Sequence, residues 1–430
     1  MWYNFQQIFK VLNNPVIYIK LTGKSKEVVV RMKKVYKGMR MLDVENGRVV
    51  EDAVIVVEDG IFAAVGGADT KIPEDAEVND LNGKTVLPGL VDAHIHALLD
   101  ASANPTSSAV ADSKSLLTLK GAEHLKKILA AGIVAVRDLG GIDFLDLGLR
   151  DAVNSGLILG PRMQVAGKVI TMTGGHGHDM GREVDGPAEC RKAAREQLKM
   201  GVDLIKVMAT GGVMTKGVEP GSPQLTEEEL RAAIEEAHKA GRKTATHAQG
   251  TEGIKNAIRA GIDSIEHGFF LDDEAVELMI NNDVYMVATL AAPYWIVENG
   301  VEAGIPEYAV EKAERTMEAH KKSFQKAYNA GVKIAMGTDA GTPFNLHGKN
   351  SYELKMMVEA GLSPMEAVRV STMGGAELMG IDDIIGSITV GKEADMLVVN
   401  GRPDENIEDI FELDAVYLKG KKVMTDCGLS

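Results

Sequence analysis

From Val35 onward the apolar positions fall into short β-type runs, VYKGMRMLD, AVIVVEDG and IFAAVG, each closed by Gly, Asp or Asn. Such runs, punctuated by turn residues, predict the strands of a small antiparallel sandwich. A matching block returns near the far end as GSITVGKEADMLVVNG and AVYLKGKKV. Between the two blocks the pattern changes. Apolar runs at 86–96, 132–139, 163–170, 202–209, 243–248, 263–268, 284–290 and 332–339 are separated, for the most part, by segments of helical period. The segment at 226–241 starts with Thr226 three residues before Glu229, a capping-box pattern, and stops at Gly241. Gly132, Gly201, Gly261 and Gly331 repeat that stop just before a strand. Eight strands, each followed by a helical connection, predict an α/β chain: a (β/α)₈ TIM barrel with a small discontinuous β-sandwich domain formed by both chain ends. The runner-up is an open doubly wound sheet, and no GxGxxG follows the first strand to support it. The expected division is an N-terminal extension at 1–31, sandwich segments at 32–85 and 384–430, and the barrel at 86–383.

Composition narrows the class. Of 430 residues, 45% are hydrophobic and 25% charged, as in ordinary soluble globular proteins. A formal net charge of −15 repels phosphate backbones and disfavours a nucleic-acid partner. Cys190 and Cys427 cannot form a disulfide framework, so reduced thiols in the cytoplasm are expected. No apolar run reaches the ~18 residues of a membrane span. The first 34 residues differ from the rest: Lys10, Lys20, Lys24, Lys26, Arg31, Lys33 and Lys34 stand against the single acid Glu27. Asn13, Asn14 and Pro15 interrupt the apolar stretch, which argues against a secretory signal. Two readings remain for this segment, an extension upstream of a start at Met32 or an added edge strand.

The chemistry concentrates at strand ends. His94, His96, His247 and His267 each close a predicted strand, and Asp339 closes the eighth. In a parallel barrel those ends converge on the face where active sites are built. Strand side chains alternate with period two, so His94 and His96 point to one side and can share a metal. Asp92 has the same parity and is placed to orient one imidazole. The bland reading, polar residues on a solvated edge strand, conflicts with the apolar LPGLV that precedes them.

Lys206 lies inside the apolar run VDLIKVM, where an unpaired ammonium would cost several kcal/mol. Burial lowers a lysine pKa, and a neutral amine can add CO₂ to become a carbamate that bridges two metal ions. A lysine snorkelling to the rim and a Schiff-base lysine are the other readings of this position alone. Four histidines and an aspartate at neighbouring strand ends favour the bridge. His247 and His267 complete a second metal site. Nitrogen and oxygen ligands suit Zn²⁺, with Mn²⁺, Co²⁺ or Fe²⁺ as alternatives. Asp339 is expected to touch one metal, take a proton as general base, and later protonate the leaving amine. Its alternative reading is a structural strand-end aspartate.

In order along the chain, DAHIH, VDLIKVMATGG, THAQGTEGIKNAIRAGIDSIEHG and IAMGTDAG resemble the amidohydrolase superfamily. The closest fit is the imidazolonepropionase-like branch, which includes metal-dependent Xaa-Pro dipeptidases, carboxypeptidases cutting before Arg or Lys, and ochratoxin-type amidases. The resemblance runs over about residues 35–425. It implies that His94, His96 and Asp339 bind a first metal, that carboxylated Lys206 bridges to a second, and that His247 and His267 hold the second. A hydroxide between the ions would attack the amide carbonyl, which the second metal polarises. In the resembling peptidases a histidine of the TGGHGH loop lies beside the substrate, so His176 is the expected catalytic substrate contact, against a solvated glycine loop. His178 and His347 are further substrate-binding candidates.

Arg137 and Asp138 are expected to form a structural or supporting pair, and His124, His238 and His320 to lie on the surface. The resulting expectation is a hydrolase with two divalent ions, most simply Zn²⁺, cleaving a dipeptide or N-acyl amino acid. Membranes are not expected as partners, and barrels of this sort often associate into homo-oligomers. Alternatives are an imidazolonepropionase-type cyclic amide hydrolase or deaminase, which needs no lysine at position 206, and a lactonase or phosphotriesterase on the same metal centre. A non-enzymatic scaffold is disfavoured because every expected ligand position is filled.

Overall fold

The computed structural model describes residues 33–423 in full and, before them, the strands Val16–Leu21 and Lys24–Val29. Those two strands pair antiparallel with each other as a separate two-stranded sheet, not as an edge of the larger one. Whether residues 1–31 precede a start at Met32 lies outside the described residues.

Both β-rich blocks enter one sheet of eight strands among the described residues. They meet where Met396–Asn400 runs antiparallel to Lys84–Pro88, with Val398 opposite Val86. Alternation sends Met396 and Val398 into a small core with Tyr36, Phe62 and Tyr417. The intervening Leu397 and Val399 join the large central core instead. The sheet is therefore covered on both faces, which is why these strands are almost continuously apolar.

The apolar run expected at 86–96 as one strand is in fact two. Lys84–Pro88 belongs to the terminal sheet and Leu90–Ile95 to the parallel one, with the break at Gly89. A Cβ at Gly89 would lie 2.4 Å from Val134 Cγ1, so only glycine passes between the two layers here.

Parallel pairing links Leu90–Ile95, Ile133–Asp138 and Arg162–Val165 in sequence order. A second parallel set comprises Ile170–Met172, Leu204–Met208, Lys243–Ala248, Ser264–His267 and Tyr285–Val287. Backbone hydrogen bonds outside the regular ladders join the sets. Asp203 N donates to Val165 O at 2.9 Å, and residues 333–340 bridge the other side through Met286 N to Lys333 O (2.8 Å) and His96 N to Ala340 O (2.9 Å). The fold is of the TIM-barrel type, mixed α and β.

Helices separate the strands as the helical period predicts. Glu227–Lys239 carries both halves of the Thr226–Glu229 capping box. Gly201, Gly261 and Gly331 end helices at φ of 92°, 97° and 86°, a conformation that only glycine adopts without strain. No helix among the described residues is long and apolar enough to cross a membrane.

Candidate active site

At the carboxyl ends of the parallel strands lies a cavity of about 340 Å³. His94 from Leu90–Ile95 and His96 just past it, Lys206 from Leu204–Met208, His247 from Lys243–Ala248, His267 from Ser264–His267 and Asp339 all line it. Asp339 Oδ1 is 3.4 Å from His94 Nε2 and 3.2 Å from His96 Nε2. These three residues offer ligand atoms all within 4.8 Å of one another. The ring centroids of His247 and His267 are 4.5 Å apart, and His267 lies 5.1 Å from His94. His176 also faces the cavity, its ring 4.1 Å from that of His247.

Hydrogen bonds at the back of each ring decide which nitrogen faces inward. His94 Nδ1–H donates to Glu266 Oε2 at 2.9 Å, leaving Nε2 toward Asp339. Thr289 gives its hydroxyl proton to Ala288 O, so its oxygen accepts from His267 Nδ1–H at 2.8 Å. His247 Nε2 is buried with no hydrogen-bond partner among the described residues. An orphaned imidazole nitrogen in a polar cavity is a cost unless something binds it. Burial also pushes His94, His247 and His267 well below the ordinary histidine range, so each is a neutral imidazole with a lone pair to give. Lys206, only 2% exposed, is pushed down to about 8 by burial, against the opposing charges of Glu266 and Asp339. Burial would raise the Asp339 carboxyl, yet His94, His96 and Lys206 around it hold it below its usual value. Three neutral imidazoles, the His96 ring (pulled down by burial yet held above the ordinary histidine range by Asp339), a carboxylate and a lysine within reach of neutrality form a nitrogen–oxygen donor set that fits divalent metal ions.

The backbone is strained at the same place. His267, Thr289 and Asp339 have φ of 75°, 57° and 59°. For a β-branched residue such as Thr289 this is an unusual conformation, costing about 1–3 kcal/mol and concentrated in proteins at functional sites.

Several expected partners sit elsewhere. Asp92 does not orient an imidazole. Its Oδ1 accepts from the backbone N–H of His94 and Thr338, both at 3.1 Å, and its Oδ2 from Thr338 Oγ1 and Asn350 Nδ2, both at 2.7 Å. It stitches Leu90–Ile95 to Thr338 and Asn350, which come after Tyr285–Val287 in the chain. The carboxylate on the imidazole is Glu266, fully buried and overlooked in the sequence. Arg137 pairs not with its neighbour Asp138 but with Glu266 Oε1 at 2.7 Å, and donates also to Ala93 O at 2.7 Å. Asp138 instead accepts from Ala97 N and Gly140 N.

His347 is not among the cavity residues. It is buried behind the wall, its Nε2 2.9 Å from Leu99 O and its ring stacked 4.3 Å from His124. His178 is exposed at the rim beside Asp179. His238 is exposed as expected, but His124 is half-buried, and His320 is fully buried with its ring 4.1 Å from Phe269. Phe269, Val213 and Ile296 form an apolar wall on which the cavity borders.

Residues 85–423 match the amidohydrolase family. The chain is 30% identical to ochratoxinase from Aspergillus niger over 418 residues, covering 89% of this chain and 85% of that protein. It is 25% identical to imidazolonepropionase from Micrococcus luteus, over 82% of this chain and 89% of that one. Among solved structures it is similar to a Xaa-Pro dipeptidase with methionine bound in its active site, with a TM-score of 0.84 and 35% identity, over 91% of this chain and 99% of that one. The chain belongs to the amidohydrolase family and is a hydrolase acting on amide bonds; metal dependence is typical of that family. Within it, the chain falls on the imidazolonepropionase-like branch.

Proposed function

We propose that the protein is a binuclear metal-dependent amidohydrolase that cleaves the amide or peptide bond of a small substrate, a dipeptide or N-acyl amino acid. The observation that carries this reading is the convergence of His94, His96 and Asp339 within 4.8 Å beside a buried Lys206 and a His247 Nε2 with no hydrogen-bond partner among the described residues. A cavity of about 340 Å³ suits a substrate of this size. The reading includes a closed (β/α)₈ barrel, supported by the bonds at both seams, and a terminal sandwich domain built from the two chain ends. The free, buried Cys190 fits a reducing compartment such as the cytoplasm.

His94, His96 and Asp339 would hold one ion and His247 and His267 the other, most simply as Zn²⁺. Lys206 would bridge them as a carbamate: its neutral amine adds CO₂ at carbon and releases one proton. When bound, the ions supply Lewis acidity to the scissile carbonyl and to the attacking water. The remaining chemistry belongs to the side chains. Asp339 takes the proton that the attacking water gives up and returns it to the leaving nitrogen. His176 is the substrate contact, for a carbonyl or a carboxylate, with His178 at the rim. The apolar wall of Val213, Phe269 and Ile296 excludes bulk water on one side.

The test is a library of dipeptides and N-acyl amino acids offered to the zinc-loaded protein, with Asp339→Asn as control. Release of free amino acids, abolished in Asp339→Asn while the melting profile is kept, is the expected result. Turnover confined to lactones or phosphotriesters, or a near-normal Asp339→Asn enzyme, would overturn the proposal.

A further inference from the structure

The loop that follows the strand Leu204–Met208 is a flap with a closed neck. Gly211 N donates to Ser222 O at 2.9 Å and Gly221 N to Gly211 O at 3.1 Å, so residues 212–221 leave and return at one point. Val213, Met214, Thr215 and Lys216 of this flap line the cavity. Thr215 Oγ1 lies 2.6 Å from His176 Nδ1. The His176 ring packs so closely on Gly212 that a Cβ there would come within 2.6 Å of it. The orientation of His176 thus depends on where the flap sits.

One face of the helix Glu307–Ala330 grips the flap. Tyr308, Lys312 and Arg315, spaced four and three residues apart, share that face. Tyr308 OH donates to Met214 O at 3.1 Å. Lys312 Nζ donates to Thr215 O at 2.7 Å and Val218 O at 2.6 Å, and sits 5.3 Å from the centre of the Tyr308 ring. Arg315 pairs with Glu219. Lys312 is 6% exposed, and a lysine so buried is costly unless its protons are taken. Here two carbonyl groups of a non-repetitive loop and one aromatic face take them.

The geometry points to Lys312 as a positioning residue: with Tyr308 and Arg315 it clamps the flap 212–221, so that Thr215 orients His176 and the flap walls the substrate cavity. In its kinetic consequence this rests on the proposed function; in its structural consequence it does not. Lys312→Met removes both hydrogen bonds that Lys312 Nζ donates to the flap carbonyls and frees the flap, whose tip carries the exposed Lys216.

Two measurements on the full chain test the clamp. The first is trypsin cleavage after Lys216, followed by mass spectrometry. Lys312→Met is cleaved there at least tenfold faster than the parent, Tyr308→Phe at an intermediate rate, and Lys312→Arg, which keeps a donor, close to the parent. Equal rates in all four would overturn the clamp, and Tyr308→Phe carries the test if Lys312→Met does not fold. The second is a double-mutant cycle with His176→Asn on any amide substrate that the enzyme turns over. Lys312→Met raises KM tenfold or more with a smaller change in kcat, and adds little once His176 is gone. Effects that multiply independently would show that Lys312 does not act through His176. A chain that hydrolyses no amide yet shows accelerated Lys216 cleavage would count against the proposed function and leave the clamp standing.

Discussion

Replacing Arg137 by Met should destabilise the protein out of proportion to the size of the change. Arg137 is 1% exposed and reaches two strands besides its own: Nε donates to Ala93 O at 2.7 Å, one terminal nitrogen to Ser264 Oγ at 3.2 Å, and the other to Glu266 Oε1 at 2.7 Å. Met fills similar space but leaves the Glu266 carboxylate buried without its cation. Breaking a buried pair from one side costs about 3–5 kcal/mol. The lost bonds to Ala93 and Ser264 add about 1 kcal/mol each at most. With an unfolding entropy of about 2 cal/mol/K per residue, a chain of this length loses roughly 1 °C per kcal/mol, so the shift is about 3–7 °C. Calorimetry on the metal-free protein reads it without interference from metal loss. Removing the stranded charge as well, in Arg137→Met with Glu266→Leu, should recover more than half of the loss. A shift under 1 °C in the single variant, or a further drop in the double, would refute the assignment of Glu266 as the counter-charge.

Two more outcomes follow from buried groups. Glu353 accepts from Leu290 N and Ala291 N at 2.7 and 2.8 Å, and burial pushes its carboxyl up to about 8. The unfolded chain ionises near 4.5, so the native state binds the extra proton and its advantage is full below that pH. That advantage fades as pH rises toward 8. The stability difference between the parent and Glu353→Gln should therefore fall from pH 5 to pH 8, and melts across this range that stay parallel would contradict it. At Gly89, a methyl group would meet Val134 at 2.4–2.5 Å, so Gly89→Ala should cost about 1–3 kcal/mol by overpacking, seen as a lower urea midpoint. An unchanged midpoint would mean that the two layers can separate there.

Residues whose role depends on local rules were legible in the chain itself. Period-two alternation put His94 and His96 on one side, and the helix stops at Gly201, Gly261 and Gly331 take the left-handed φ that a terminal glycine requires. At Lys206 a charge within an apolar strand was signal enough, and the lysine is indeed buried. Partners chosen by tertiary convergence were not legible. Arg137 has an acid beside it in sequence, yet its partner is 129 residues away, because Asp138 is spent on the turn to Gly140 and on Ala97. The signal that marks Lys206 marks Arg137 too, since a buried guanidinium demands an acid, and Glu266 stands next to a histidine already singled out. His320 looked like a surface residue because helix Glu307–Ala330 is polar on average, but its inner face packs under Phe269. The break at Gly89 escaped for a different reason. Both halves of 86–96 are apolar, and hydropathy does not distinguish one buried sheet from the next.

In the proposed enzyme these strand ends form a two-ion centre bridged by Lys206. The most direct test is anomalous diffraction from crystals of the active, metal-loaded enzyme, with metal content measured on the same preparation. The prediction is two divalent ions per chain, one at His94, His96 and Asp339 and one at His247 and His267, with density for a carboxylate on Lys206 Nζ between them. A fully active enzyme with one ion and an unmodified Lys206 would contradict it.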